Sequence, residues 1–147
     1  MNDKQKAAEK QGIQFQSEFS YPKSDSYNAY DIGVIINNLL QNALEACEKM
    51  TEGKKYIYLS GRQKKKFYLI NVKNSFEEEV TFDTKTNLPL STKGKDISLH
   101  GIGLSNVKRE VDKYMGDVDI KAKKNEFSVI VLLQERRKNR DVFHTNK

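Results

Sequence analysis

Tryptophan is absent from this chain of 147 residues, proline occurs twice and cysteine once. The single cysteine, Cys47, cannot form an internal disulfide, and this usage is typical of a reducing compartment. No apolar stretch approaches the ~20 residues that a membrane-spanning helix needs, and residues 1–11 lack the apolar core of a secretion signal. These absences exclude a disulfide-stabilised secreted scaffold and predict a cytoplasmic domain.

Basic residues outnumber acidic ones by 26 to 20, which gives a net charge of +6 and a pI near 9.3. This balance raises nucleic acid as a partner. The basic clusters, however, fall at residues 62–66 and 121–124, where hairpin turns are predicted, and at 136–140. The last cluster belongs to a C-terminal tail, residues 135–147, of low apolar content. No zinc-ligand spacing or aromatic RNA-binding motif accompanies the clusters, so we expect no specific nucleic-acid partner.

Length and periodicity indicate one small globular domain, because 147 residues suffice for one core and are few for two. Residues 1–11 are predicted to be helical or frayed. The remaining predicted elements are a strand at 13–19, a helix at 27–50, a hairpin of strands 56–60 and 66–72 around a turn at 61–65, a helix at 101–115, and a second hairpin of strands 118–121 and 127–133.

The helix predicted at residues 27–50 combines an apolar face with a polar stripe. Its apolar residues follow the three-and-four spacing of one buried face: Ile32, Ile35, Ile36, Leu39, Ala43, Cys47 and Met50. Asn38, Asn42, Glu45 and Lys49 repeat the same spacing on an adjacent stripe, so their side chains point in one direction. The stripe is either a solvated helix face or a binding site. Asparagine is a mediocre helix former, and two of them one turn apart need a reason.

Glycines mark a second segment, His-Gly-Ile-Gly-Leu-Ser-Asn-Val at residues 100–107. We predict that Gly101 and Gly103 open a helix that Gly116 ends. Glycine lets a ligand approach the main chain closely, and the unpaired first amides of a helix bind phosphate oxygens well. The alternative is a tight turn without a ligand.

Together, the run Asn-Leu-Leu-Gln-Asn-Ala-Leu-Glu-Ala at residues 38–46 and the glycine segment resemble the GHKL superfamily of ATP-binding domains. This superfamily includes DNA gyrase, mismatch-repair ATPases and sensor histidine kinases. The first run looks like its N box, and the second like its second glycine box. Both runs are most similar to those of the AgrC-type quorum-sensing histidine kinases. The resemblance covers residues 13–134.

The resemblance implies a site for ATP and Mg²⁺. Asn42 matches the position whose amide oxygen holds Mg²⁺, a hard cation that prefers oxygen ligands. Asn38 matches the place where gyrase-type relatives carry a glutamate that activates water. An amide cannot take up that proton, so we expect poor hydrolysis and transfer of the phosphoryl group elsewhere. Glu45 either orients a metal-bound water or pairs with a lysine.

Further nucleotide contacts are implied by the glycine box and by the long segment before it. The glycine-box residues are His100, Gly101, Ile102, Gly103 and Leu104. Residues 74–100 lack clear periodicity and correspond to the ATP lid of the resembled family, in which Thr92, Lys93 and Lys95 could reach the triphosphate. A loop of this length is uncommon in a compact domain and usually functional. The alternative is a disordered surface loop.

The chain departs from the wider family pattern at the first glycine box. Most relatives carry Asp-x-Gly-x-Gly, whose aspartate accepts a hydrogen bond from the adenine amino group. This chain has Val-Lys-Asn-Ser-Phe at residues 72–76, so Asn74 takes the place of the aspartate and the glycines are missing. The AgrC-type branch has a similar Asn-Ser. ATP binding therefore remains the expectation, with Asn74 contacting the base.

A histidine kinase also needs an acceptor histidine, and neither His100 nor His144 has the acidic helical neighbour of such an acceptor. The phosphoacceptor and dimerisation domain is therefore expected upstream in a longer parent protein, with a response regulator downstream. Any membrane attachment is expected only through that parent. Residues 1–12 would be the end of an upstream helix or linker, and 13–134 the catalytic domain.

The sequence thus predicts a two-layer α/β sandwich of the GHKL type, with a mixed, mainly antiparallel sheet and helices on one face. The predicted function is transfer of the ATP γ-phosphoryl group to a histidine of the parent kinase, with catalysis by positioning and charge neutralisation. Two alternatives are a degenerate nucleotide-binding module and a basic interaction domain without a nucleotide.

Overall fold

The computed structural model describes the backbone of residues 2–77, 81–82, 89–90 and 97–135, and the side chains of residues 3–77 and 104–135. The elements in chain order are α1 (Asn2–Lys10), β1 (Gln14–Phe19), α2 (Ala29–Glu48), β2 (Tyr56–Lys64), β3 (Phe67–Ser75), β4 (Thr81–Phe82), β5 (Pro89–Leu90), α3 (Ile97–Asp112), β6 (Asp117–Lys123) and β7 (Glu126–Gln134).

Five strands form one mixed sheet in the order β1-β2-β3-β7-β6. The β1–β2 pair is parallel and the other pairs are antiparallel. Along β3, Tyr68, Ile70 and Val72 are buried, whereas the intervening residues are half-buried. This alternation puts the buried side chains on the face that α2 and α3 cover. The predicted two-layer fold with a mainly antiparallel sheet is confirmed.

Helix α2 begins one residue after Asn28, whose side-chain oxygen accepts a hydrogen bond of 2.7 Å from the amide of Tyr30. This is a standard N-cap interaction. The helix is two residues shorter at each end than predicted. Its apolar face is buried as predicted, and Leu40 and Leu44 widen that face beyond the predicted set. None of the helices in the described part of the chain is long and apolar enough to cross a membrane.

The first hairpin has longer strands than predicted, and Gly61 is not in its turn. The turn consists of Lys65 and Lys66, and Lys65 has a φ of 56°. Gly61 lies within β2 directly opposite Phe19, whose ring occupies the space that a side chain at position 61 would need. Aromatic packing over the glycine, rather than turn geometry, explains its presence there. The second hairpin turns at Lys124 and Asn125, as predicted.

Two predicted boundaries, the end of β3 and the start of α3, are wrong. Helix α3 begins at Ile97, four residues before Gly101, and β3 continues through Ser75. Once a helix is nucleated, each further residue adds a hydrogen bond, so the helix extends upstream through the glycines. The segment predicted as an irregular lid at 74–100 is therefore shorter at both ends, because Asn74 and Ser75 belong to β3 and residues 97–100 belong to α3. It also contains the short antiparallel pair β4–β5.

Helix α3 ends at Asp112, and the left-handed residue that follows it is Met115 (φ 51°) rather than Gly116. The amide of Gly116 donates to the carbonyl of Val111 at 3.1 Å, which is typical of a Schellman motif. Gly116 is needed for another reason. A Cβ at this position would clash with the carbonyl oxygen of Leu132 in β7.

Gly116→Ala is therefore expected to destabilise the domain by about 1–3 kcal/mol, because the clash involves backbone and cannot be relieved by a side-chain rotation. The matched control is Gly33→Ala, since a Cβ at Gly33 in α2 would meet no atom of another element within 4 Å. This control should stabilise the domain by about 0.5–1 kcal/mol. Thermal unfolding of both variants checks the two signs. Equal stabilities would contradict the close approach of Gly116 to β7.

Candidate functional site

The candidate site lies where α2, α3 and the end of β3 meet. Helix α2 contacts both α3 and β3. The apolar face of α2 is fixed against these elements, so the rotation of the helix and the direction of its polar stripe are fixed as well. Asn38, Asn42 and Glu45 are partly buried along this stripe, and Lys49 is exposed. The stripe is therefore not a fully solvated helix face.

Asn42 carries the most informative atom of the stripe. Its Nδ2 is buried and has no hydrogen-bond partner among the described residues. A buried donor left unpaired costs about 1–3 kcal/mol, and most folded proteins avoid it. A carboxamide can turn over and present either an oxygen or a nitrogen at the same place. The side chain of Asn42 is thus suited to bind a ligand group or a cation at this position.

Asn38 and Glu45 are both already hydrogen-bonded within α2. Asn38 donates from Nδ2 to the carbonyl of Val34 at 2.8 Å, which leaves its Oδ1 available. Glu45 accepts from Nε2 of Gln41 at 2.9 Å. Gln41 in turn accepts from the ammonium of Lys4 in α1 at 2.6 Å, so α1 is tied to the same helix. The described hydrogen bonds therefore pair Glu45 with the amide of Gln41.

Asn74 lies near the end of β3, on the same side as Tyr68, Ile70 and Val72. It is only 2% exposed, which places it on the helix-covered face of the sheet. Its Nδ2 donates to the carbonyl of Ser75 at 2.9 Å. The remaining oxygen can accept a hydrogen bond. Asn74 therefore faces the helix layer to which α2 belongs.

The glycine box contributes through α3. Residues 101–104 lie in the second turn of this helix, because the helix begins at Ile97 and His100 is the last residue of its first turn. Amides beyond the first turn bond to carbonyls four residues earlier, so the prediction that Gly101 and Gly103 supply the free first amides is wrong. Leu104 is buried and joins the core. Thr92, Lys93 and Lys95 lie outside the described residues.

A small polar cluster of Cys47, Tyr56 and Ser75 links α2, β2 and the end of β3 beside the candidate site. The thiol of Cys47 lies 3.6 Å from the hydroxyl of Ser75 and 3.5 Å from the carbonyl oxygen of Tyr56. Burial raises the pKa of Cys47, so this thiol stays protonated and acts as a small core residue, as predicted. The hydroxyl of Ser75 also accepts from the amide of Tyr56 at 2.9 Å. The end of β3 is thereby attached to both α2 and β2.

Two contacts that position α2 were not predicted from the sequence. The hydroxyl of Tyr114 donates to the buried carboxylate of Asp31 at 2.6 Å, and it accepts from the amide of Asn28 at 3.0 Å. These bonds join the first turn of α2 to the residues just after α3. A short acidic residue behind an N-cap is a common helix feature, so no local signal indicates its distant tyrosine partner.

No cluster of three or more His, Cys, Asp or Glu side chains that could hold a metal ion occurs among the described residues. A transition-metal centre therefore has no ligand set in this part of the chain. A magnesium ion needs less, because it keeps several waters and shares its ligands with phosphate oxygens. The single amide oxygen of Asn42 fits that requirement.

Residues 27–134, more than half of the chain, match the sequence profile of the GHKL domain. No curated protein sequence matches the chain.

Several solved histidine kinase domains share the fold. The nucleotide-free catalytic domain of histidine kinase ThkA aligns with a TM-score of 0.64 and 20% identity over 89% of this chain and 84% of that one. The kinase domain of the Erythrobacter litoralis blue-light activated histidine kinase aligns with a TM-score of 0.67 and 11% identity, over 91% and 57%. Acinetobacter baumannii histidine kinase AdeS gives 0.62 and 10% over 92% and 63%. The chain therefore belongs to the GHKL domain family and has the fold of histidine kinase catalytic domains.

Proposed function

We propose that this chain is the ATP-binding catalytic domain of a two-component sensor histidine kinase of the AgrC type. Its parent protein would carry the dimerisation domain with the acceptor histidine. The buried, unpaired amide of Asn42 is the observation that supports this proposal best. Asn42 lies in the run that resembles the N box, and the chain belongs to the GHKL family.

Asn42 would hold Mg²⁺ through its Oδ1, and the ion would neutralise charge on the phosphates. Asn74 would accept a hydrogen bond from the adenine amino group through its free oxygen. Asn38 cannot act as a base, since its side chain is a carboxamide that already donates to Val34. The site therefore lacks a group at this position that would activate water, which favours transfer over hydrolysis.

Phosphoryl transfer would then proceed on a histidine of the dimerisation domain. The imidazole nitrogen forms a bond to the γ-phosphorus of ATP, the bond from that phosphorus to the β,γ-bridging oxygen breaks, and ADP leaves. The residues of this chain contribute by holding the nucleotide in line, because such reactions need positioning more than covalent chemistry. A response regulator would receive the phosphoryl group, and the parent would place the domain on the cytoplasmic side of a membrane.

A second candidate is a nucleotide-binding module without catalysis. The neutral Asn74 at the base position supports it, since a carboxamide binds an amino group less strongly than a carboxylate does. Calorimetry with a non-hydrolysable ATP analogue and Mg²⁺ separates both candidates from a domain that binds no nucleotide. A phosphotransfer assay with the parent dimerisation domain then separates the first candidate from the second.

Asn42→Ala should abolish Mg²⁺-dependent binding of the ATP analogue while leaving the fold intact. Alanine removes an unpaired buried amide and improves helix propensity by at most ~0.7 kcal/mol, so the melting temperature should not fall. The matched control is Asn37→Ala, which makes the same chemical change at an exposed position of the same helix. Normal binding by Asn42→Ala would show that the stripe is not the magnesium site.

Asn74→Asp should raise the ratio of ATP to GTP affinity by about tenfold, because a carboxylate only accepts hydrogen bonds and these are stronger when charged. Without nucleotide the variant should melt at a lower temperature, since the new carboxylate would be buried and the hydrogen bond to Ser75 would be lost. Asn71→Asp is the control, because Asn71 lies on the opposite face of β3 and accepts from Ser128. An unchanged nucleotide ratio in Asn74→Asp would mean that this residue does not contact the base.

The isolated chain should bind the ATP analogue yet incorporate no acid-labile phosphate from ATP. Its two histidines, His100 and His144, lack the acidic helical neighbour expected of an acceptor. Labelling should appear on the dimerisation domain when that domain is added in trans. Stoichiometric labelling of either histidine in the isolated chain would contradict the proposed arrangement.

A further inference from the structure

The carboxylate of Glu77 is bound at the end of α2 by two backbone amides and a hydroxyl. The amide of Thr51 lies 2.9 Å from Oε1 and 3.0 Å from Oε2 of Glu77. The amide of Glu52 donates to Oε2 at 2.9 Å, and the hydroxyl of Thr51 lies 3.2 Å from Oε1. We call this set of contacts the Glu77 clamp. Each of these bonds has a charged acceptor and is stronger than a neutral hydrogen bond.

The location of the clamp is unfavourable for a carboxylate in one respect. Helix α2 ends at Glu48, and the C-terminal end of a helix carries negative partial charge. The attraction must therefore come from the amides of Thr51 and Glu52, which lie beyond the end of α2 and donate to Glu77. These bonds, the Thr51 amide above all, hold the pKa of Glu77 below its ordinary value of 4.5, and Lys55 contributes in the same direction.

The residue before Glu77 is fixed to a different part of the domain. The ring of Phe76 meets the ring of Phe127 edge-on, with centroids 5.9 Å apart and planes at 71°. The amide of Phe76 donates to the carbonyl of Asn125 in the β6–β7 turn at 3.2 Å. The two residues that follow β3 are thus attached to two separate elements, the β6–β7 hairpin and the segment after α2.

A short series of contacts leads from the clamp to Asn74. Ser75 is attached to Tyr56 and to Cys47, and its carbonyl accepts from the side chain of Asn74. Every residue from 74 to 77 is therefore held by at least one hydrogen bond outside the sheet ladder. Release of Glu77 would leave the contacts of Phe76 and Ser75 as the described attachments on this side of Asn74.

We propose that Glu77 is a positioning residue for nucleotide binding: it clamps the exit of β3 to the end of α2 and so fixes Asn74 relative to Asn42. This inference rests on the proposed function, because it assumes that these two asparagines contact the nucleotide. Glu77 itself does not touch the ligand. It acts through the backbone of residues 74–76.

Other charged groups surround the clamp and bear on its pH dependence. Glu77 lines a cleft of about 850 Å³, together with Glu52, Lys54, Lys123, Lys124 and Glu126. The carboxylate of Glu126 accepts a hydrogen bond of 2.6 Å from the hydroxyl of Tyr56. Lys54, Lys123 and Lys124 form no ion pair with a described residue, and the lysine that lowers the pKa of Glu77 is Lys55.

Calorimetry with the ATP analogue and Mg²⁺ tests the positioning role. Glu77→Ala should weaken binding roughly 2- to 30-fold, the range that residues outside a ligand's contact shell usually exert. The matched control is Glu52→Ala, which removes the same charge from the same cleft but keeps the backbone amide of the clamp. This control should bind the ATP analogue within about twofold of the affinity of the unmutated chain. Thr51→Val should weaken binding because it removes the hydroxyl, whereas Thr51→Ser should bind like the unmutated chain because serine retains it.

A second measurement follows the clamp without any nucleotide. Because the folded pKa of Glu77 is depressed, the clamp is intact above the ordinary value of 4.5 and is lost as the pH falls through the lower folded pKa. The NMR shifts of the Thr51 and Glu52 amide protons should therefore titrate below pH 4.5. Glu77→Gln should remove this step, and Glu52→Ala should keep it.

The outcomes separate this inference from the proposed function. If the unmutated chain binds no nucleotide, both the proposed function and the positioning role are overturned. Normal binding by Glu77→Ala, with the amide titration lost in Glu77→Gln, overturns the positioning role alone. A titration that persists in Glu77→Gln overturns the clamp itself. If Glu77→Ala does not fold, the Thr51→Val and Thr51→Ser pair decides, and equal affinities for these two overturn the positioning role.

Discussion

The burial of one face of α2 between the sheet and α3 is the interaction on which the rest of this structure depends. Each fully buried Ile or Leu on that face contributes about 1.5–3 kcal/mol, so the helix has little freedom to rotate. The bonds of Asn28 and Asp31 to Tyr114 fix the start of the helix, and the Glu77 clamp is built on the segment that follows its end. Because the rotation of α2 and both of its ends are fixed, the side chains of its polar stripe can point in one direction only.

Among the described residues, the side chains of the candidate site are mostly neutral amides. Asn38, Asn42 and Asn74 have no proton to gain or lose near neutral pH, and the carboxylate of Glu45 is bonded to Gln41. Binding would therefore depend on geometry and on charges carried by the ligand and its cation. Such a site requires a fixed backbone, since a neutral hydrogen bond weakens quickly when its direction is lost. The many attachments around Ser75 fit that requirement.

Sequence periodicity predicts the elements and the fold well, because the apolar face of α2 and the alternation of β3 and β7 are strong local patterns. It fails where distant contacts decide. Gly61 is typical of a turn, yet it lies in a strand because Phe19 packs over it. The predicted start of α3 is too late because glycine suggests a helix boundary, whereas helix propagation carries the helix back to Ile97. The site residues on α2 follow from spacing, but the partners of Glu77 lie some 25 residues away in the chain, and no local pattern indicates them.

Cys47 gives the domain a built-in reporter of its own opening. It is the only thiol in the chain, it is fully buried, and it lies at the junction of α2, β2 and β3. A thiol reagent can reach it only when this junction separates, and the raised pKa slows the reaction further because the thiolate is the reactive form. The rate of labelling would therefore report the frequency with which the junction beneath the candidate site opens, without any probe being introduced into the protein.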